Sequence, residues 1–325
     1  MLPIFQFKRR VILWIVLATC SLSAAADWKA PREALDKRRI EGEFHIYYTQ
    51  EGENAFPWIG ASPQRIRDML DGLADQLSEA NRFYGDQLGL ARPLGGARYR
   101  NVRAIDVHIL KLEGKKGSTG DEPIVYRYRN FDGAAPALTI TLSTQWNPPN
   151  LTPNHEVFHT YQYGYTFFKN AWFLEGMARS MEKAFKGGEV RTEPLPRHGE
   201  LQQLMARSYG ADVFWNRLMY LCDASCSGSG VAGADKRDSY LPRARFCGGK
   251  LVRATLEQYQ TLDKEAARLR GIDPNDWPED EQWSERNNPF LLRGLRRAIE
   301  SQCPVQRNPE LAAFRNVLKE AETRP

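Results

Sequence analysis

From Phe44 the chain alternates apolar and polar residues, FHIYYT. Phe44, Ile46 and Tyr48 then share one face, and residues 39–56 read as a strand. The period lengthens after that. Ile66, Leu70, Leu73, Leu77, Ala80 and Tyr84 recur at helical spacing behind Ser62, a candidate N-cap, and Pro63, suited to a first turn; Gly89 can end this helix. Alternation returns in RAIDVHIL at 103–110, with Ile105, Val107 and Ile109 inward, and in ALTITLS at 137–143, which QWNPPN breaks. Between these two strands LEGKKGSTGDEP reads as a loop.

The pattern changes at Thr152. From there to about Lys186 it reads as a helix, a break at Gly164 and a second helix. PLPRHGE is a loop, and further helices are expected at about 200–221, 250–270, 288–302 and 308–322, separated by the loops CSGSGVAGADKRD and PNDWPEDEQW. Strands followed by helices indicate an α+β fold. A mixed sheet with one long helix occupies 27–150, and a mainly helical part occupies 151–325, the two forming one continuous unit.

Composition agrees with a packed core: 42% of the 325 residues are hydrophobic and 11% aromatic. The first residues stand apart. FKRR, then VILWIVLATC, then SLSAAADW is the basic, apolar and small-residue order of a secretory leader, with cleavage expected between Ala26 and Asp27. The apolar run is short of the ~20 residues that span a membrane, so no stable insertion is expected after cleavage. A lipid on Cys20 is the weaker alternative, because Thr19 is large for the position before such a cysteine.

Export alters the reading of charge and cysteines. The leader holds Lys8, Arg9 and Arg10 and no acid, so its removal lowers the formal charge from +5 to +2. No basic stripe with interleaved aromatics remains, which argues against nucleic acid as a partner. LLRGLRRAIE is basic on one face and reads as a solvated helix. Cys222, Cys226, Cys247 and Cys303 remain, enough for two disulfides in an oxidising compartment; sequence leaves their pairing open, as it does the oligomeric state.

The chemistry concentrates in NHEVFHTYQYGY, 154–165. On a helix capped at Thr152, with Pro153 in its first turn, His155 and His159 stack one turn apart and can bind one metal. Glu156 projects ~100° away, placed to take a proton from a water that zinc polarises. A catalytic zinc needs a third protein ligand and an open position. Glu175 lies 16 residues after His159, early on the next helix, where a short turn would return it to the histidines.

WFLEGMARSME, 172–182, resembles the W-L-N-E-G-F-A-S-Y-V-E segment of zinc aminopeptidases in the gluzincin clan, with Trp172, Glu175, Gly176, Ala178 and Glu182 in register. The resemblance covers about 30 residues tightly. It implies a zincin-like sheet, Zn2+ held by His155, His159 and Glu175, Glu156 as general base, and a peptide or protein substrate. The interval between the second histidine and Glu175 is a few residues shorter than in the aminopeptidases. The Gly-x-Met-Glu-Asn motif that holds a free amino terminus is absent, which argues against that activity. Short secreted bacterial proteins with a peptidase-MA-like domain are the nearer likeness.

The family also uses a tyrosine to stabilise the oxyanion. SYGADVFWNRL, 208–218, places Tyr209 at the head of an amphipathic helix, with Tyr165 and Tyr240 as rivals. ALTITLS or a near neighbour is expected at the sheet edge above the cleft, where a peptide can add as a strand. His45 and His108 alternate out of the apolar faces and read as surface or hydrogen-bonded residues, and His198 as a loop residue. Phe158, Tyr161, Phe167, Phe168, Trp172 and Phe173 read as core, Glu182 as a partner for a ligand histidine or a solvent-facing charge, and Arg179 stays ambiguous. A non-catalytic zinc module and a zinc hydrolase of a non-peptide amide are the alternatives to a peptidase.

Overall fold

The computed structural model describes residues 28–186, 190–223 and 246–323; the expected leader, Cys226 and Tyr240 lie outside them. A short helix, α1 (Ala30–Glu33), precedes β1 (Lys37–Glu41) and β2 (Phe44–Tyr48). The single strand expected over 39–56 is thus a hairpin. Gly42 turns it at φ 57°, a conformation a Cβ would resist. Helix α2 (Pro63–Arg82) starts as expected, with Ser62 Oγ accepting the Arg65 N–H at 3.2 Å. It runs into a π turn, Phe83–Gln87, and the chain leaves through Gly89 at φ 66°.

Strands β3 (Ile105–Leu110), β4 (Gly117–Val125) and β5 (Pro136–Ser143) complete one mixed sheet in the order β1-β2-β3-β5-β4. The inner strands β2, β3 and β5 run parallel, and each outer strand is antiparallel to its neighbour. One expectation changes here: LEGKKGSTGDEP is not wholly a loop, since β4 begins inside it. Of the two placements expected at the edge, ALTITLS is an inner strand and its neighbour β4 forms the edge. An edge strand with one solvated side needs no apolar alternation, so GSTGDEP hid among turn residues.

The helical part follows: α3 (Thr152–Tyr165), α4 (Ala171–Glu182), α5 (Leu201–Met205), α6 (Asp212–Cys222), α7 (Gly249–Arg270), α8 (Glu279–Trp283), α9 (Asn288–Gln302) and α10 (Pro309–Thr323). The helix expected over 200–221 is broken at Ser208, whose φ −117° and ψ −113° are not helical. A 3-10 turn, Tyr209–Ala211, then leads into α6. Gly176 allows this turn to approach α4: a Cβ there would lie 2.7 Å from Ala211 Cβ. Short α8 falls inside the expected loop PNDWPEDEQW.

One apolar core runs from Phe44 and Ile46 through Ile105, Val107 and Ile109 to Leu311 and Leu318 in α10. The six aromatics of 158–173 read as core are all buried in it. A second, smaller cluster of Leu35, Tyr47 and Leu110 covers the opposite sheet face. His108 is fully buried on that side, its Nε2 2.7 Å from the Tyr128 hydroxyl, and burial holds its pKa well below the ordinary histidine value. His45 lies 3.5 Å from Asp106. Cys222 and Cys303 form a disulfide that ties the end of α6 to the end of α9, one of the two bonds expected. Among the described residues no helix is long and apolar enough to cross a membrane.

Asp263 on α7 braces the turn between α3 and α4. Its Oδ2 accepts the Phe167 N–H at 3.1 Å, while its Oδ1 is buried without a partner. Burial raises its pKa to about 7, against the hydrogen bonds that favour the anion. An acid whose pKa is raised by folding costs stability as pH climbs from its unfolded value to its folded one. Asp263→Asn keeps the acceptor and cannot ionise. Its stability advantage over the wild type should grow by about 2 kcal/mol between pH 5 and pH 8, read from denaturant midpoints. A difference independent of pH in that window would contradict the assignment.

Candidate metal centre

Helix α3 opens with Pro153 in its first turn, but Thr152 is not its cap; Asn150 Oδ1 instead accepts the Thr152 N–H at 2.9 Å. The helix also runs through Gly164 to Tyr165, and the break falls at Thr166, whose φ −149° is extended. The helical part fixes the path back. Lys169 N–H donates to Gln282 O at 2.8 Å, and Asn170 Nδ2 donates to Ser284 O at 3.1 Å. Trp172 is the anchor of α4: its Nε1 donates to Asn288 Oδ1 at 2.9 Å, and its ring stacks on Trp215 at 5.8 Å.

This packing brings Glu175 to the histidine pair. His155 Nε2 lies 3.1 Å from Glu175 Oε2 and 3.0 Å from His159 Nε2, and His159 Nε2 lies 3.5 Å from Glu175 Oε2. Donors ~2.0–2.1 Å from a tetrahedral ion stand ~3.3 Å from one another. The three atoms fit that spacing, and the group can hold a metal ion. Among the described residues no fourth histidine, cysteine or carboxylate joins it.

Outer partners orient the two imidazoles. His155 Nδ1 is 3.2 Å from Glu182 Oε2, so Glu182 partners a histidine of the group and is not simply a solvent-facing charge. His159 Nδ1 is 2.8 Å from Gln162 Oε1, and Gln162 Nε2 donates to Leu174 O at 3.1 Å. The amide is therefore oriented with its oxygen towards the imidazole. Both Nδ1 atoms donate, so both Nε2 atoms face the centre, where a proton or a metal ion can bridge His155, His159 and Glu175. Burial opposes charge on His155, but Glu175 and Glu182 outweigh it and raise its pKa to about 9; the same pairing overcomes burial to hold the Glu175 carboxyl well below its ordinary value. Glu182→Gln should weaken zinc binding about 10–100-fold in competition with a calibrated chelator, and unchanged affinity would remove Glu182 from the site.

Glu156 is buried, and Thr119 Oγ donates to its Oε2 at 2.7 Å and to its backbone carbonyl at 3.0 Å. Burial raises its pKa, while the two histidines and Thr119 pull it down. Gly117 leaves room for the other oxygen: a Cβ there would stand 2.6 Å from Oε1. Both neighbours belong to β4. Ser143 N–H donates to Lys116 O, so pairing alternation turns the Gly117 and Thr119 amides and carbonyls to the open edge. Farther along, Tyr99 hydroxyl donates to Asp121 O at 2.7 Å, which closes that end of the edge.

Tyr209 is half exposed, with its ring 5.7 Å from that of His155. Burial and a hydrogen bond to Glu175 raise its pKa, so it is a proton donor at neutral pH. Tyr165 is elsewhere: its hydroxyl accepts the Ala91 N–H at 2.8 Å. His198 is exposed beside Glu320 at 3.0 Å. The sequence reading missed Thr119, Gly117, Gln162 and Tyr163, whose ring stacks 5.9 Å from that of His159. Gln162 sits three residues after His159 on one helix, a spacing that could have revealed it; Thr119 and Gly117 had no such signal. No family model, no curated protein and no solved structure matches the chain.

Proposed function

We propose that the chain is an exported zinc-dependent metallopeptidase of the gluzincin type. The observation that carries this reading is the convergence of two imidazole Nε2 atoms and one carboxylate at tetrahedral spacing, with a second carboxylate, Glu156, buried alongside outside the group. A structural zinc uses four protein ligands and needs no base, whereas three ligands leave a position for water or substrate. Zinc is the choice because two histidines and a carboxylate are a common catalytic donor set for it. Bound there, the ion acts as a Lewis acid and lowers the pKa of water towards ~7.

The chain's own groups would do the rest. Glu156 takes the proton of the attacking water and later returns it to the leaving amine. Thr119 keeps its carboxylate oriented. Tyr209, protonated and half exposed, donates to the oxygen that gains charge. Gly117 and Thr119 offer backbone groups to an extended chain, which supports a peptide as substrate. Export is supported by the leader-like first residues and by the Cys222–Cys303 bond. Purified protein should contain one zinc per chain and cleave members of a broad peptide library. A chelator should abolish cleavage and added zinc restore it; protein that binds no zinc, or that is fully active without it, would end this reading.

A further inference from the structure

A cleft of about 590 Å³ opens between α4, the segment after it and the turn that carries Tyr209. Its walls include five basic side chains, Arg179, Lys183, Lys186, Arg191 and Arg207, against two acids. The acids do not neutralise it. Asp212 is shared, 3.5 Å from Arg179 and 3.9 Å from Lys183. Glu193 is taken up by a close pair with Arg207. Lys183 is half buried; burial lowers its pKa, and the Arg179 and Lys186 charges add to that, although Glu182 and Asp212 oppose it. An anion in the cleft would relieve all three. Arg191 is exposed, with its backbone carbonyl held by Asn216 Nδ2 at 3.0 Å.

The cleft adjoins the metal centre. Arg179 stands one helical turn beyond Glu175, and its guanidinium lies 6.0 Å from the centre of the Tyr209 ring. Gly210, in the cleft wall, follows Tyr209 directly. Lys183 Nζ is 3.7 Å from Glu182, the carboxylate that orients His155. A residue of extended chain advances ~3.3 Å, so a group two or three residues from a carbonyl at the centre reaches this cleft.

We propose that this cleft is a subsite for a carboxylate of the peptide substrate, placed within about three residues of the cleaved bond. The modest positive excess of the walls suits a monoanion, and a paired set of guanidinium and ammonium groups suits a carboxylate. The inference rests on the peptidase reading for the identity of the chain that carries the carboxylate. That carboxylate is either an acidic side chain or a free carboxyl terminus.

The test measures binding, which separates it from turnover. Zinc-loaded Glu156→Gln protein is titrated with blocked fluorescent nonapeptides in which one Glu, or one Gln, is walked through the sequence. A second pair differs only in a free or amidated carboxyl terminus. One of these series should show at least tenfold tighter binding of the charged member, falling steeply with salt. Lys183→Gln and Arg191→Gln should each remove most of that preference while leaving the neutral peptide unchanged, and Arg191→Lys should keep part of it. Equal affinity of charged and neutral peptides in every pair, or the same loss for both in the variants, overturns the subsite. Selective binding together with no cleavage by the wild-type protein upholds the subsite and removes the peptidase reading.

Discussion

Glu156→Gln should lower kcat/KM by about a thousandfold or more on any peptide the wild type cleaves, with one zinc still bound per chain. The substitution is nearly isosteric. Its amide oxygen can keep the hydrogen bond from Thr119 Oγ, so α3 and β4 stay joined as they are now. Only the proton-accepting capacity goes. A positioned general base contributes on the order of 10²–10⁴ in rate, and with zinc bound as proposed the two histidines would not substitute, because their Nε2 atoms would hold the ion and their Nδ1–H groups are on Glu182 and Gln162. The measurement is a pair: metal content by elemental analysis and kcat/KM on the best library peptide. Full activity with zinc retained would show that Glu156 is not the base. Loss of zinc along with activity would make its role structural.

The sequence carried the His155, His159 and Glu175 group because its spacing is dictated by one helix and one short return. His155 and His159 stack wherever a helix forms, and Glu175 is reached through Trp172 and Gly176, residues with visible packing tasks against Asn288, Trp215 and Ala211. The placement of Tyr209 ahead of α6 and near His155 was legible for a similar reason, while the 3-10 turn and the break at Ser208 were hidden. Helix periodicity survives local irregularity, since most of a buried face is still apolar. β4 was not legible, and with it went half the surroundings of Glu156. An edge strand's sequence answers to the groups beside it: a glycine where Glu156 needs room, a threonine where it needs a donor, and an aspartate between Arg98 and Lys169. Those demands produce GSTGD, which reads like a turn. The strand at 39–56 failed differently, because alternation continues across a tight hairpin and does not reveal the reversal at Gly42.

Glu175→Ala should cost more zinc affinity than the 10–100-fold expected for an outer partner such as Glu182, because it removes a donor and leaves two neutral imidazoles to hold a dication. The effect on the folded protein is readable without any substrate. A ligand that binds only the native state adds stability of RT ln(1 + [L]/Kd), about 4 kcal/mol at a thousand times Kd. The wild type should therefore melt several degrees higher in excess zinc than in chelator, and Glu175→Ala should show little of that difference. In the metal-free comparison the loss carries a pH dependence that a simple cavity would not give. In the absence of metal Glu175 pairs with His155, whose folded pKa is raised to about 9. A raised histidine pKa adds stability below its unfolded value of ~6.5 and loses it as pH rises through about 9. Chelated Glu175→Ala should thus fall below the chelated wild type most clearly near pH 6 and least above pH 9. A zinc-dependent rise in Tm equal to that of the wild type would show that Glu175 is not a ligand, and that the metal is held by the histidine pair with some other group.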